Sequence, residues 1–585
     1  MPVADHDSGI GASYRAEGHR STHVRLLIPY ERSLVQPSLP LLCFRMMNGR
    51  VPYWNGPIKC RMQYASGQVE WIRHVLLLES ETLVQAGIYE SVYLSMFDYR
   101  PCPSLLRVFA ERWNYVTNTA FLSDREATPT LWDIAQLTGF PISGLPYDEY
   151  IPRDEDMSGL PESLQTVFGI YQCLRDTSKR GQVSRSTWIY YFTDRVRKPL
   201  EDFALFDDPL GVGSSVVYAD MPSKSTPLNS LGFDREVTLI AFLSWWLCYF
   251  VVPSPPADCI RPSTFVMAYQ LAQGKRISLA IPALALIYSE LRRWISSREI
   301  SRYNFHPFHI LCGWLHMYWG RVYTVAAPDC LRKDLPFLID IAGATPCPLE
   351  YPPARDFFHF PRNHLSDFHT RMANRFSRMF PKGEDVDIWD SPHPRLCRDD
   401  LEFLISIRCS LLPLCLIGTT NGRIIAEAYL PHRCAHQFGY DQHLPAPILF
   451  PTDLPANKNT LALCWSSILA RGTGTTFLSI RSFRAPLFTS EYRKWLNDAL
   501  STIAVKPVSY DNMMAEGKTK AIKAKVKGKP VRLPDFVGVD STFEIGPYLV
   551  ELISPSGNLN THPSFPFFFF SHIFFCSNQL YVVIE

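Results

Sequence analysis

The sequence predicts a mainly α-helical protein: one large compound helical domain with a few short β-strands, a partly ordered N-terminal arm and a C-terminal tail. Three observations carry this. Apolar residues recur at helical spacing along most of the chain, helix-start and helix-stop residues flank those stretches, and strand-like runs are few and short. The 585 residues are 46% hydrophobic and 13% aromatic, enough to bury a large core and outside the composition of disordered chains.

The elements follow in order. Residues 1–55 lack sustained periodicity and read as the arm. In the stretch Thr128 to Gly139, Thr128 suits the cap, Pro129 the first helical position and Asp133 the positive end of the helix dipole. Leu131, Ile134, Ala135 and Thr138 then share a face, and Gly139 can stop the helix in a left-handed conformation. Val237 to Val252 is closed by Pro253 and is shorter than the ~20 residues a bilayer crossing needs, so it reads as a buried core helix. A helix starts at Arg261-Pro262 and can end at Gly274. Another starts at Ile281-Pro282 and carries Leu284, Ile287, Tyr288, Leu291 and Trp294 on one stripe. Leu365, Phe368, Met372, Phe376 and Met379 form a further stripe. The best strand candidates are Arg423 to Leu430 and Thr476 to Ile480.

No Gly/Ser, Pro-repeat or charge-block linker interrupts the chain between about Lys59 and Leu500. The expected organisation is an arm over 1–55, a helical region over 56–500 that is either one compound domain or two tightly packed subdomains with the break near 324–351, and a basic linker and tail over 501–585. In that tail Lys518, Lys520, Lys523, Lys525, Lys527, Lys529 and Arg532 form a basic run with two readings, a nuclear-import or nucleic-acid patch and a solvated linker. Pro563 to Glu585, dense in phenylalanine without helical or alternating order, reads as translated T-rich non-coding DNA that carries no function.

The 58 basic and 56 acidic residues nearly cancel, so no global field drives the folded body onto nucleic acid or an anionic membrane. Fifteen cysteines form no C-x-x-C pair, and Met1 to Arg20 carries no apolar signal-peptide core. Both point to reduced thiols in a nuclear or cytosolic compartment.

Candidate chemistry is thin. His309, Cys312 and His316 recur at i, i+3 and i+7, near one helix face. Zinc takes three or four such ligands at about 2 Å, no fourth is evident here, and an ordinary amphipathic helix is the better reading. His432 and His436 stand at i, i+4 without the glutamate of a His-Glu-x-x-His protease. Gly517-Lys518-Thr519 ends like a Walker A motif, but Asn512 stands where its first glycine belongs. Gly211-Val212-Gly213 and Gly472-Thr473-Gly474 lack the third glycine of a dinucleotide fingerprint. Asp7-Ser8-Gly9 sits in the polar arm rather than at the end of a buried strand. The expectation is no catalytic, metal or cofactor-binding residue.

Several segments, in their order, resemble the plant mobile domain, also called the aminotransferase-like plant mobile domain, of maintenance-of-meristems proteins and plant retroelements. They are Leu83 to Ile88, Phe109 to Trp113, Thr117 to Thr119, Thr128 to Gly144, Ala241 to Leu247 with Val251 to Pro255, Arg261-Pro262, Ser278 to Ala285, Gly313 to Leu315, Tyr429 to Arg433 with Gln437 to Gly439, and Phe488-Thr489 with Tyr492 and Trp495. The match runs from about Val69 to Leu496 and thins from Thr324 to Tyr351. The resemblance implies a nuclear plant protein acting in meristem maintenance, silencing of transposable elements and genome stability, beside phosphatase-like or silencing factors. It supplies no catalytic residues to carry over. A PLP enzyme needs a Schiff-base lysine in a phosphate-binding pocket, and no lysine here stands in such a setting. The expected role is therefore a non-enzymatic interaction protein without cofactor or membrane attachment, touching nucleic acid through the basic tail if at all. The alternatives are an enzyme, PLP-dependent or hydrolytic, and a retroelement-derived passenger with no host role.

Overall fold

The computed structural model describes residues 65–193, 234–296, 304–324, 335–348, 398–445 and 487–504, apart from short breaks. Elsewhere it describes backbone pairing of short antiparallel strands: Gly11–Tyr14 with Thr22–Arg25, Val386–Asp387 with Phe477–Leu478, and Ile573–Cys576 with Gln579–Val582. The stripe from Leu365 to Met379, the lysine-rich run and the glycine motifs at 211–213, 472–474 and 517–519 lie outside the described residues.

Four short helices open the body: α1 (Gln68–Leu78), α2 (Ser80–Gln85), α3 (Tyr89–Leu94) and α4 (Pro103–Glu111). A three-stranded antiparallel sheet follows, β1 (Trp113–Asn114), β2 (Thr119–Phe121) and β3 (Glu126–Ala127), with β2 in the middle. Then come α5 (Leu131–Thr138), α6 (Asp154–Met157), α7 (Glu162–Thr177) and α8 (Arg185–Thr193). The central helices are α9 (Arg235–Trp246), α10 (Phe265–Ala272), α11 (Ala280–Ser296) and α12 (Phe308–Trp319). Helix α13 (Arg398–Leu411) leads into the hairpin β4 (Leu414–Thr420) and β5 (Arg423–Tyr429), and α14 (Ser490–Ala504) closes the described body. The protein is mainly α with small β additions, as its periodicity predicts.

Helix α9 is the centre of the core, and its sequence explains why. It is apolar on every side, from Val237 to Trp246, so it has no face to give to water and is buried against α7, α8 and α10. Its last residues pass into a π-helical turn, Leu247–Val251, that ends at Val252 just before Pro253. Among the described residues no helix is long and apolar enough to cross a membrane. The stripe Leu284, Ile287, Tyr288, Leu291 and Trp294 of α11 is buried at 1% exposure or less and packs on α5, β4 and β5. One continuous apolar cluster runs from Trp71 through both helices to Tyr429.

The start of α5 differs from its expected form. Thr130, not Thr128, is the cap: its hydroxyl accepts from Asp133 N–H, and the Asp133 carboxylate accepts from Thr130 N–H in return. Pro129 thereby falls outside the helix, and Thr128 is released for a tertiary role. The helix stops at Gly139 in the left-handed region, φ 74°, as expected.

Gly144 lies at φ +130°, and an added Cβ there would sit 2.6 Å from the Arg276 carbonyl oxygen. This close approach lets Leu145 pair with Ile277, with Leu145 N–H donating to Arg276 O at 2.9 Å. Gly144→Ala is expected to cost at least about 1–3 kcal/mol from backbone strain alone. A thermal melt unchanged from the parent would contradict that.

Candidate functional site

The chemistry-rich residues converge on two buried polar hubs, each joining segments far apart in the chain. In the first, the small sheet supplies Glu126. Arg433 donates to Glu126 Oε1 from Nε at 3.1 Å and from Nη2 at 2.8 Å, and both side chains are fully buried. Thr119 Oγ1 donates to the same oxygen at 2.7 Å. Burial pushes the Glu126 carboxyl up, and Arg433 and Thr119 oppose it.

Around this pair the segment Pro431–Phe438 is stitched to the start of α5. Gln437 reads the backbone of Thr128 on both sides, its Oε1 accepting from Thr128 N–H and its Nε2 donating to Thr128 O, each at 2.9 Å. Tyr288 of α11 donates its hydroxyl to Pro129 O at 2.7 Å. Asp133 accepts from the Trp314 indole and from the Tyr318 hydroxyl of α12, each at 3.0 Å. Burial pushes the Asp133 carboxyl up to about 6 against those hydrogen bonds.

The hairpin is tied in alongside. Asn118, held at φ 51°, donates to Glu427 Oε2 at 3.2 Å and to Ala428 O at 2.9 Å. Arg292 of α11 pairs with Glu427 at 2.5 Å. Burial raises the Glu427 carboxyl to about 7, with Arg292 as the main opposing influence.

The second hub is Glu149 with Arg261, both buried. Arg261 donates to the two Glu149 carboxylate oxygens at 3.1 and 2.7 Å, and the carboxylate also accepts from Ser263 Oγ at 2.8 Å and from Tyr147 Oη at 2.7 Å. Arg261 also donates to Val252 O, where the π-helical turn ends, and Glu149 N–H donates to Thr419 Oγ1 of β4.

The histidines take separate places. His309 is fully buried in α12 between Tyr99 and Phe250, and its Nε2 faces the Phe250 carbonyl at 3.1 Å, so that nitrogen carries the proton. Burial lowers it to about 4. Cys312 is buried with its thiol pushed up to about 12, and the His316 ring lies against Tyr323. Among the described residues no group of three His, Cys, Asp or Glu is placed to hold a metal ion.

His432 and His436, four residues apart in the sequence, lie in Pro431–Phe438, which is 3-10 with a kink at Cys434, φ −122° and ψ 35°. His436 stacks on Phe488, ring centroids 4.5 Å apart, and its Nδ1 lies 3.0 Å from Arg125 Nη1, which donates to it.

Sequence reasoning passed over Glu126, Glu149 and Glu427, and named Arg261 and Asn118 only as parts of a helix start and of a family-like segment. The signal open to it was a charged residue inside an apolar stretch, Glu427 between Ala426 and Ala428 above all. The family model of the plant mobile domain matches residues 87–497, more than half of the chain. The chain belongs to the plant mobile domain family. Both hubs lie within the matched span, so in this plant mobile domain protein the segment from Tyr429 to Phe438 is folded into the brace between the hairpin, the small sheet and α5. No curated protein and no solved structure matched the chain.

The buried groups set a pH dependence. Asp133 and Glu427 have folded values above their ordinary carboxylate range, so their contribution is present below about pH 4 and is lost as pH rises through 6 to 7. His306 and His309, both lowered to about 4, act oppositely: their contribution is present above 6.5 and is lost as pH falls toward 4. Above 6.5 Glu427 contributes more to the remaining loss than Asp133 does. Glu427→Gln is therefore expected to flatten the decline in melting temperature between pH 6.5 and 8, and a parallel decline in the variant would refute the assignment.

Proposed function

We propose that this plant mobile domain protein is a non-enzymatic nuclear interaction protein, acting with phosphatase-like or silencing partners in meristem maintenance, transposable-element silencing and genome stability. One observation carries the non-catalytic part of this reading. The polar side chains of its richest motif are engaged with the protein's own interior: Arg433 with Glu126, Gln437 with the Thr128 backbone, and Gln442 with His432 O at 3.1 Å. Groups so committed cross-link a scaffold, and recognition is then left to its surface. The nuclear and developmental part rests on the family.

The test is affinity purification of a tagged copy from plant nuclei, with and without nuclease. Nuclease-resistant recovery of phosphatase-like or silencing proteins is the expected result. Absence from nuclei, or recovery alone with a bound small cofactor, would overturn the proposal. Any nucleic-acid binding is placed on the basic run of Lys518, Lys520, Lys523, Lys525, Lys527, Lys529 and Arg532, whose other readings are a nuclear-import signal and a solvated linker. Deleting 518–532 should remove salt-sensitive binding, and binding that survives the deletion would place the contact elsewhere.

A further inference from the structure

We propose that the starts of α1 and α8 and the π-helical turn after α9 form a binding site for a small monoanionic carboxylate. Three buried side chains make it: Gln68, the first residue of α1, Arg185, the first residue of α8, and Tyr249 in the turn, exposed by 1%, 7% and 3%. The Arg185 guanidinium lies 4.6 Å from the Tyr249 ring centroid. Burial pushes the Tyr249 hydroxyl up to about 12, and Arg185 and the Gln68 amide, close by, oppose it. Yet Gln68 Nε2, Arg185 Nε and Tyr249 Oη each lack a hydrogen-bond partner among the described residues. The Trp245 indole, stacked on Tyr249 at 5.2 Å, and the Trp71 indole, 6.1 Å from Trp245, add two buried N–H groups that also lack an acceptor.

Buried donors left without acceptors are costly, and here they gather between three neighbouring elements. Apart from the Tyr249 oxygen, the unpaired groups only donate, so an occupant must bring acceptors. The field has the matching sign. Helices α1 and α8 both begin here and Gly67 gives α1 no side-chain cap, so the positive ends of two helix dipoles join a guanidinium. The charge balance selects the anion. Asp258 already accepts from Arg185 Nη2 at 2.6 Å, Glu70 lies in the first turn of α1, and the other donors are neutral. A carboxylate, with two acceptor oxygens and one charge, suits what remains, whereas dianionic phosphate brings more charge than the site offsets. The Asp258 side chain is 68% exposed, so the site meets solvent on that side.

The site does not rest on the nuclear reading, and its test needs no partner from the plant. Acetate and inorganic phosphate are titrated calorimetrically into the full chain at mildly alkaline pH, where phosphate is a dianion. Acetate should bind saturably, and phosphate about tenfold more weakly or less. Tyr249→Phe keeps the ring and removes the hydroxyl, and Gln68→Leu keeps most of the volume and removes the amide. Each should weaken acetate binding by about tenfold or more while a thermal melt shows a folded chain, and either variant decides the matter where the other fails to fold. Acetate should also raise the melting temperature of the parent and not that of the variants. No saturable heat with acetate would overturn the site and leave its donors to water. Acetate binding unchanged in the variants would place the anion elsewhere, and phosphate binding tighter than acetate would overturn the carboxylate as its ligand.

Discussion

Arg433→Ala is expected to destabilise the protein by about 3–5 kcal/mol, because it leaves the Glu126 carboxyl buried without its cation. Both partners are fully buried, and the arginine makes two hydrogen bonds to one carboxylate oxygen. Lysine in its place keeps the charge but loses the planar fork and recovers part of the loss. The paired change Arg433→Met with Glu126→Gln removes the charge from both sides and is expected to be milder than Arg433→Ala alone, since no uncompensated ion remains. Chemical denaturation of the four chains measures this directly. If Arg433→Ala costs less than about 1 kcal/mol, the pair is not the brace described here.

Trp314→Ala carries an expected loss of about 3–5 kcal/mol for a different reason. The indole is fully buried in α12, edge-on to Phe109 at 5.4 Å and close to Tyr318 and Trp319. Its removal opens a cavity and also takes a hydrogen bond from the buried Asp133. Trp314→Phe separates the two effects. It keeps most of the ring packing and loses the N–H, so its cost should fall near the roughly 1.5–3 kcal/mol of one hydrogen bond to a carboxylate. Equal losses for the two variants would show that the hydrogen bond, rather than volume, dominates. Because Asp133 also accepts from Tyr318 and caps α5, the damage should spread to the first turn of that helix, visible as faster hydrogen exchange at residues 133–135.

These variants concern the same residues that make the family motif conspicuous. Arg433 and Gln437 stand in the segments by which the sequence resembles the family. In the folded chain they face Glu126 and the Thr128 backbone, hundreds of residues away in sequence. A loss of partner binding in Arg433→Ala would therefore report unfolding unless stability is measured beside it.

The helices were readable because their information is local. The apolar stripe of α11, the all-round apolarity of α9 and the stop at Gly139 depend on spacing and on one residue's allowed backbone. Strand β5 was readable as Arg423 to Leu430, but its partner β4 was passed over, although Asn421-Gly422 between them is the dipeptide a two-residue hairpin favours. The strands β1 to β3, two or three residues each, are too short to leave a periodic signal.

The sequence by itself determined the helical class, the family, the helical stretches of α9, α10 and α11 and the stop of α5 at Gly139, since these follow from spacing, composition and motif order. Tertiary structure alone decided that Thr130 caps α5, that Thr128 serves Gln437 instead, and that the segment from Pro431 kinks at Cys434. It likewise decided that Glu126 meets Arg433 and Glu149 meets Arg261. The physical reason is separation along the chain. A cap or a stripe is settled within a few residues, whereas a buried charge finds its partner only after both have left water, and which charge lies opposite is set by how distant helices and strands pack.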